Sequence, residues 1–332
     1  MPPFLDCPLR PFMSLFFILC GFFSVSLNAA NGAPFPDRPI RVIVASSAGT
    51  GADIFARIIG QELTAQYHQQ VVVENRTGAG GLIGGVVAAN ATADGYTLFM
   101  ASTSTYVAPL LQAKPSYRPI EDFAAVAQVA AITSVVLTPM SLPVKSVKEL
   151  IEWTKARPAT MNFGSVGAGT AGHLSAEIFN RATGIAPVHV PFKGFSDLLT
   201  DLISARIQLM VFVMPSVLPM IKEGKLRALA VTSPNRSFAL PDIPSLAELG
   251  WPDAQSETLY GFLAPVKTPT PLIHQVSTDI VNILKKPDTL TRFEKLGAQP
   301  TSQTSAPAFE LYVRQQYQFF RQLMPAIGLH PQ

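Results

Sequence analysis

Three short stretches carry residues whose types and spacing could do chemistry. The first runs Ala45-Ser46-Ser47-Ala48-Gly49-Thr50-Gly51-Ala52-Asp53. Small residues between an apolar run and a helical pattern expose backbone N–H groups at a helix N-terminus, a natural seat for a carboxylate or phosphate. The plainer alternative is a tight turn whose glycines permit the geometry, with Asp53 as a cap. The same segment reads A-x-S-x-G around Ser47, which resembles the strand-to-helix elbow of a serine hydrolase. An exported hydrolase using Ser47 is therefore the alternative function. The elbow comes on the first strand, however, and neither His274 nor His330 falls in a loop suited to serve it.

The second stretch, Gly167-Ala168-Gly169-Thr170-Ala171-Gly172, is a literal G-x-G-x-x-G opening a helical pattern. A dinucleotide site also wants an acid at the end of the next strand, about 20 residues on. The chain offers His189-Val190-Pro191-Phe192-Lys193 there, so no cofactor is expected. What remains is a second helix-start cradle, with the hydroxyls of Ser165 and Thr170 added to backbone donors. Two such cradles, one in each half of the chain, could face each other across a cleft. The third stretch, Asn75 to Gly81, is a Gly-rich turn for which a loop needing positive φ is as good a reading as a site. The five histidines show no metal spacing, and no phosphate loop of the Walker type is present. His173 reads first as a structural hydrogen-bonder, and Lys193 as a loop charge that could sit on a cleft rim.

The elements that must hold these stretches alternate. Apolar runs predict strands over 40–44, 71–73, 98–100, 135–137, 161–163, 188–190, 208–212, 227–231 and 259–264. Amphipathic patterns predict helices over 53–67, 147–155, 173–181, 196–204, 272–284 and 309–323. Such alternation argues for an α/β fold with mainly parallel sheets. Proline-marked passages near Pro139 and residue 255 divide the chain into two lobes, 31–136 plus 257–332 and 137–256. A length of 332 residues, at about 150 per domain, fits two lobes.

Lys and Arg number 25 against 22 Asp and Glu, a net charge of +3, too little for a nucleic-acid partner. Six of the 21 Phe fall in the first 30 residues. There, Arg10, an apolar stretch over 11–27 and the small residues Ala29, Ala30, Gly32 and Ala33 read as a secretory signal peptide. The apolar run is shorter than the ~20 residues of a spanning helix. Both cysteines, Cys7 and Cys20, lie in this leader, leaving the exported chain without disulfide, thiol nucleophile or thiolate metal site. Leu19 before Cys20 argues against a lipidated cysteine.

Taken in order, the segments resemble the extracytoplasmic receptors of the tripartite tricarboxylate transporter family, the Bug-type receptors. The marks are Pro39 to Val44 with the turn and Asp53, Val72-Val73-Glu74-Asn75-Arg76 with Gly78 to Gly81, and Asp94-Gly95-Tyr96-Thr97-Leu98. They continue with Phe163-Gly164-Ser165 through His173-Leu174, Val190-Pro191-Phe192-Lys193-Gly194, and Gly224-Lys225-Leu226-Arg227-Ala228-Leu229. Leu240-Pro241-Asp242-Ile243-Pro244 and Gly261-Phe262-Leu263-Ala264-Pro265 complete the series. The resemblance implies a two-lobed periplasmic-binding-protein fold of type II kind. It would close as a monomer over a small carboxylate or related solute and hand it to the integral-membrane permease subunits of a secondary transporter. It places ligand contacts at Ser46, Ser47, Ala48, Gly49, Thr50 and Gly51, at Ser102 and Thr103, at Ser165, Gly167, Ala168, Gly169 and Thr170, and at Phe192, where a Tyr is common. The family often reads P-F-P-P-G-G where this chain has Ala45 to Thr50, and Trp where it has Leu259. A roomier or more polar pocket is the expected result.

Overall fold

The computed structural model describes residues 35–157, 160–301 and 305–331; the expected leader, with Cys7 and Cys20, lies outside them. Strand β1 (Ile40–Val44) is apolar on both faces because it is covered on both, and Ile40, Val42, Ile43 and Val44 are fully buried. It pairs in parallel with β2 (Val71–Asn75) and β3 (Thr97–Ser102). The crossovers are α1 (Gly51–Tyr67) and α2 (Leu82–Ala89). Phe55, Ile58, Ile59 and Leu63 recur at helical spacing on α1 and form its buried face. Burying each such side chain contributes about 1.5–3 kcal/mol.

The sheet is completed from far along the chain. Strand β9 (Glu257–Pro265) inserts antiparallel between β3 and β4 (Phe123–Pro139). Strand β4 is shared. Its residues from Phe123 to Thr133 pair with β9, whereas those from Ser134 onward pair antiparallel with β7 (Met210–Val213) and β8 (Leu226–Val231). A separate parallel pair, β5 (Asn162–Ser165) and β6 (Val188–Pro191), is stitched to the segment before β7 through Phe163 and Leu209. The helices in chain order are α3 (Thr103–Val107), α4 (Val147–Lys155), α5 (Ala171–Thr183), α6 (Phe195–Ile203), α7 (Met214–Lys222), α8 (Thr270–Leu284), α9 (Pro287–Lys295) and α10 (Ala306–Ala326).

Among the described residues, two of the apolar clusters sit on either side of the shared strand β4. One gathers Ile43, Phe99, Tyr106, Phe123, Leu259, Phe309 and Phe320; the other gathers Val136, Leu150, Phe163, Phe179, Val211 and Leu246. Helix α5 feeds both, sending Leu174 and Ile178 to the first and Ala176 and Phe179 to the second. Where the chain passes between the cores, Thr232 ties the two passages together. Its hydroxyl accepts the Ser134 N–H (2.9 Å) and donates to the Ser256 carbonyl (2.6 Å), with the residue fully buried.

The expectation of mainly parallel sheets is corrected by β4 and β9, whose antiparallel pairings make the main sheet mixed. The strand expected over 135–137 is the end of a 17-residue strand. Its earlier part, Ala- and Val-rich and buried, lacks the alternation that marks a half-exposed strand. Helix α7 went unread because Pro215 and Pro219 break the usual pattern; Pro215 falls in the first turn, where a missing N–H costs no hydrogen bond. Among the described residues no helix is long and apolar enough to cross a membrane.

Candidate functional site

The turn after β1 is built by its own hydroxyls. Thr50 donates to the Ser47 carbonyl (2.8 Å), so Ser46 is the donor in its 2.7 Å bond to the Thr50 hydroxyl. Gly49 takes φ +79°, and its N–H reaches the Asp53 carboxylate at 3.0 Å. Asp53 is buried and compensated: it also accepts Arg57 Nε and Asn75 Nδ2, each at 3.0 Å. It therefore closes the turn from below; Thr50, with extended φ and ψ, occupies the cap position.

The turn after β5 repeats the design. Thr170 donates to the Gly167 carbonyl (2.7 Å), Gly169 takes φ +76°, and the Gly169 N–H reaches His173 Nδ1 (3.3 Å). Here the closing group is an imidazole. Its ring stacks on His189 at 4.0 Å, and His189 in turn on Phe163 at 4.8 Å. Glu177 lies 3.5 Å from His173 Nε2, and Ser165 Oγ lies 2.7 Å from His189 Nε2. Burial, reinforced by the neighbouring His173, pushes His189 down from 6.5 to about 4.

Both turns open onto one cleft of about 740 Å³. Gly51 and Ala52 at the start of α1, and Ala171 and Gly172 at the start of α5, line it. The N–H of each of the four has no acceptor among the described residues, as the first turn of a helix dictates. The third Gly-rich turn, Gly78 to Gly81, joins them. A side chain at Gly80, which has φ +65°, would collide with the Ala168 carbonyl, so glycine lets the turns meet. The Ser47 hydroxyl accepts the Phe195 N–H at 3.2 Å, a direct link from the first turn to the start of α6.

Of the residues expected at the site, Ser46, Ser47, Thr50, Gly51, Ser102, Gly167, Ala168, Thr170 and Phe192 line the cleft. Five do not. Gly49 and Gly169 supply the positive φ and the N–H that close each turn. Ala48 is exposed and does not line the cleft. Thr103 is buried with its hydroxyl accepting the Leu259 N–H, and Ser165 is buried beneath its turn, accepting the Gly167 N–H. Sequence reasoning passed over Ser104, Leu111, Gln112, Phe212 and Tyr260, which arrive from elements it did not place beside the turns. Lys193 is on the cleft wall and is, among the described residues, the one Lys, Arg, Asp or Glu that lines it. Among the described residues no cluster of metal-ligating side chains occurs, and no histidine is hydrogen-bonded to Ser47. The G-x-G-x-x-G has a packing explanation: a side chain at Gly172 would press on the Val211 carbonyl and the Phe212 ring.

Residues 55–329 match the family model described as tripartite tricarboxylate transporter family receptor. The chain belongs to that receptor family. It is 36% identical to protein BugT of Bordetella pertussis over 272 residues, 81% of this chain and 83% of that one. The structure of the periplasmic binding protein BugD superposes with a TM-score of 0.86 at 29% identity, covering 90% of this chain and 100% of that one. An R. palustris protein, Rpa4515, solved with adipate, gives the same four values. MatC from Rhodopseudomonas palustris, solved with bound malate, gives 0.83 at 28%, covering 87% and 99%. The tripartite tricarboxylate receptor fold is thus the two-lobed periplasmic-binding-protein fold, and this chain is a solute-binding receptor of that kind.

Proposed function

We propose that this receptor captures a small organic carboxylate in the periplasm and presents it to the permease subunits of a tripartite tricarboxylate-type transporter. The observation that carries the reading is that four residues with unpaired N–H groups, from two helix N-termini, line one cleft. Neutral, prearranged donors hold a carboxylate without burying an ionised partner, and so avoid the desolvation cost of an interior ion pair. The relatives solved with adipate and malate support the ligand class.

In this reading the lobes are 31–136 plus 257–332 and 137–256, hinged where Thr232 ties the passages at Ser134 and Ser256. A ligand held by α1 and α5 together favours the closed arrangement by as much as it binds that arrangement better. The solute is bound and released unchanged, which calls for no cofactor, and the chain works as a monomer. A cleavable signal over residues 1–30 delivers it.

The test is a thermal-shift screen of the chain from Asn31 onward against mono-, di- and tricarboxylates, aromatic acids and amino acids. Ligand at ~100 times its dissociation constant adds ~2.7 kcal/mol of stability, a shift of a few degrees. A carboxylate that stabilises the wild type but not a Ala168→Phe variant is the expected result. Silence across the panel, together with ester hydrolysis that disappears in Ser47→Ala, would replace this reading with the hydrolase.

A further inference from the structure

Neither turn accounts for Tyr260. It faces Ser102 in the register of β9 and β3, so both side chains leave the same face of the sheet, and both line the cleft. Its ring is wedged against Phe55 at 5.2 Å, and Phe55 against Phe293 at 4.9 Å. Only 3% of the residue stays accessible. Its hydroxyl has no hydrogen-bond partner among the described residues, yet it is not sealed in the core as the Tyr106 hydroxyl is. The opening that remains to it is the cleft. Gly51 fixes where that oxygen sits: a side chain there would strike the Tyr260 hydroxyl first and its ring next. The phenol therefore lies against Gly51, the first residue of α1, whose N–H, like that of Ala52 after it, has no acceptor among the described residues. Burial raises its pKa well above the ordinary 10, so it keeps its proton and can donate.

We propose that the Tyr260 hydroxyl is a ligand-recognition donor of this cleft, forming with the Gly51 and Ala52 N–H groups a three-donor seat for one carboxylate head. The inference rests on the carboxylate reading above and names the side chain that deepens it. Three donors converging on one point select a group with only acceptors, and disfavour a ligand that brings an ammonium or amide N–H to this end. Gly51 lacks a side chain because the phenol occupies its place.

The experiment is calorimetric titration of malate and adipate into the wild type, Tyr260→Phe and Tyr106→Phe. Phe keeps the ring packing and removes only the oxygen. Tyr260→Phe is expected to bind about tenfold or more weakly, the scale of one hydrogen bond to a charged group, with its ligand-free unfolding midpoint unchanged. Tyr106→Phe, which removes an unpartnered hydroxyl outside the cleft, leaves affinity as it was. Affinities of Tyr260→Phe within about twofold of wild type overturn the proposal and leave the carboxylate reading standing. So does a loss of affinity matched by a lowered ligand-free midpoint, which would make Tyr260 a packing residue. If neither of these acids nor any other carboxylate of the panel binds the wild type, the carboxylate reading falls and this inference with it.

Discussion

The turns at residues 46–53 and 166–173 are near copies in backbone and opposites in chemistry. Thr50 and Thr170 share φ and ψ to within a degree, −77° and 159° against −76° and 159°. Each donates to the carbonyl three residues back, and each follows a glycine in the left-handed region. The side chain that closes the turn differs: a carboxylate held by Arg57 and Asn75 in one, an imidazole in an aromatic stack in the other. One backbone form can thus be held by a charge network or by ring packing.

The largest separation between the two turns is expected at their glycines. Gly169→Ala places a left-handed alanine whose side chain meets the end of Leu111 at 2.9 Å and the Ala108 backbone at 3.3 Å, costing about 2 kcal/mol from backbone strain and crowding together. Gly49→Ala carries the same strain, but its side chain meets only Phe195 at 3.7 Å, so about 1 kcal/mol is expected. Urea unfolding of both variants measures the gap, and equal losses would show that strain alone matters.

The next effect is one of pH. Folded His189 is depressed to about 4, whereas the unfolded chain takes up that proton below 6.5. The folded state therefore binds fewer protons across this window. The stability this gives is present above pH 6.5 and lost as the pH falls toward 4. For a half-exposed group the loss is on the order of 1 kcal/mol after solvent screening. Thermal unfolding midpoints from pH 7 to 4 should fall less steeply in His189→Gln. An unchanged slope would mean the ring stack does not set the acid response.

The smallest effect sharpens the likeness. Thr50→Val and Thr170→Val each remove a turn-closing hydrogen bond worth about 1 kcal/mol. Thr50→Val should cost slightly more, because it also strands the Ser46 hydroxyl. Unfolding midpoints of the two variants measured side by side check the order.

Much of this was readable from residues alone, for reasons that differ by element. Strand β1 and helix α1 announce themselves because one is continuously apolar and the other keeps a strict buried face of Phe55, Ile58, Ile59 and Leu63. The two small-residue turns were legible as twins, since a Gly-Thr pair before a helix start has few other uses. Which of their residues touch the cleft was not. Gly49 and Gly169 read as contacts but spend their N–H groups inward, on partners four residues ahead. Tyr260 gave no signal at all: its place depends on β9 lying beside β3, a pairing between segments almost half the chain apart. The long β4 was hidden because small buried residues on both faces leave no period to detect.

The insertion of β9 between β3 and β4 also sets a timetable. Every strand before it can be made while the central slot of the sheet stands empty, with two edges unpaired. The first core waits for residues that leave the ribosome late, and α8 and α10 follow them still later. Contacts of such long sequence separation form slowly. A chain in this order stays unfinished through most of its synthesis, the condition in which it can still be threaded, extended, through a narrow channel.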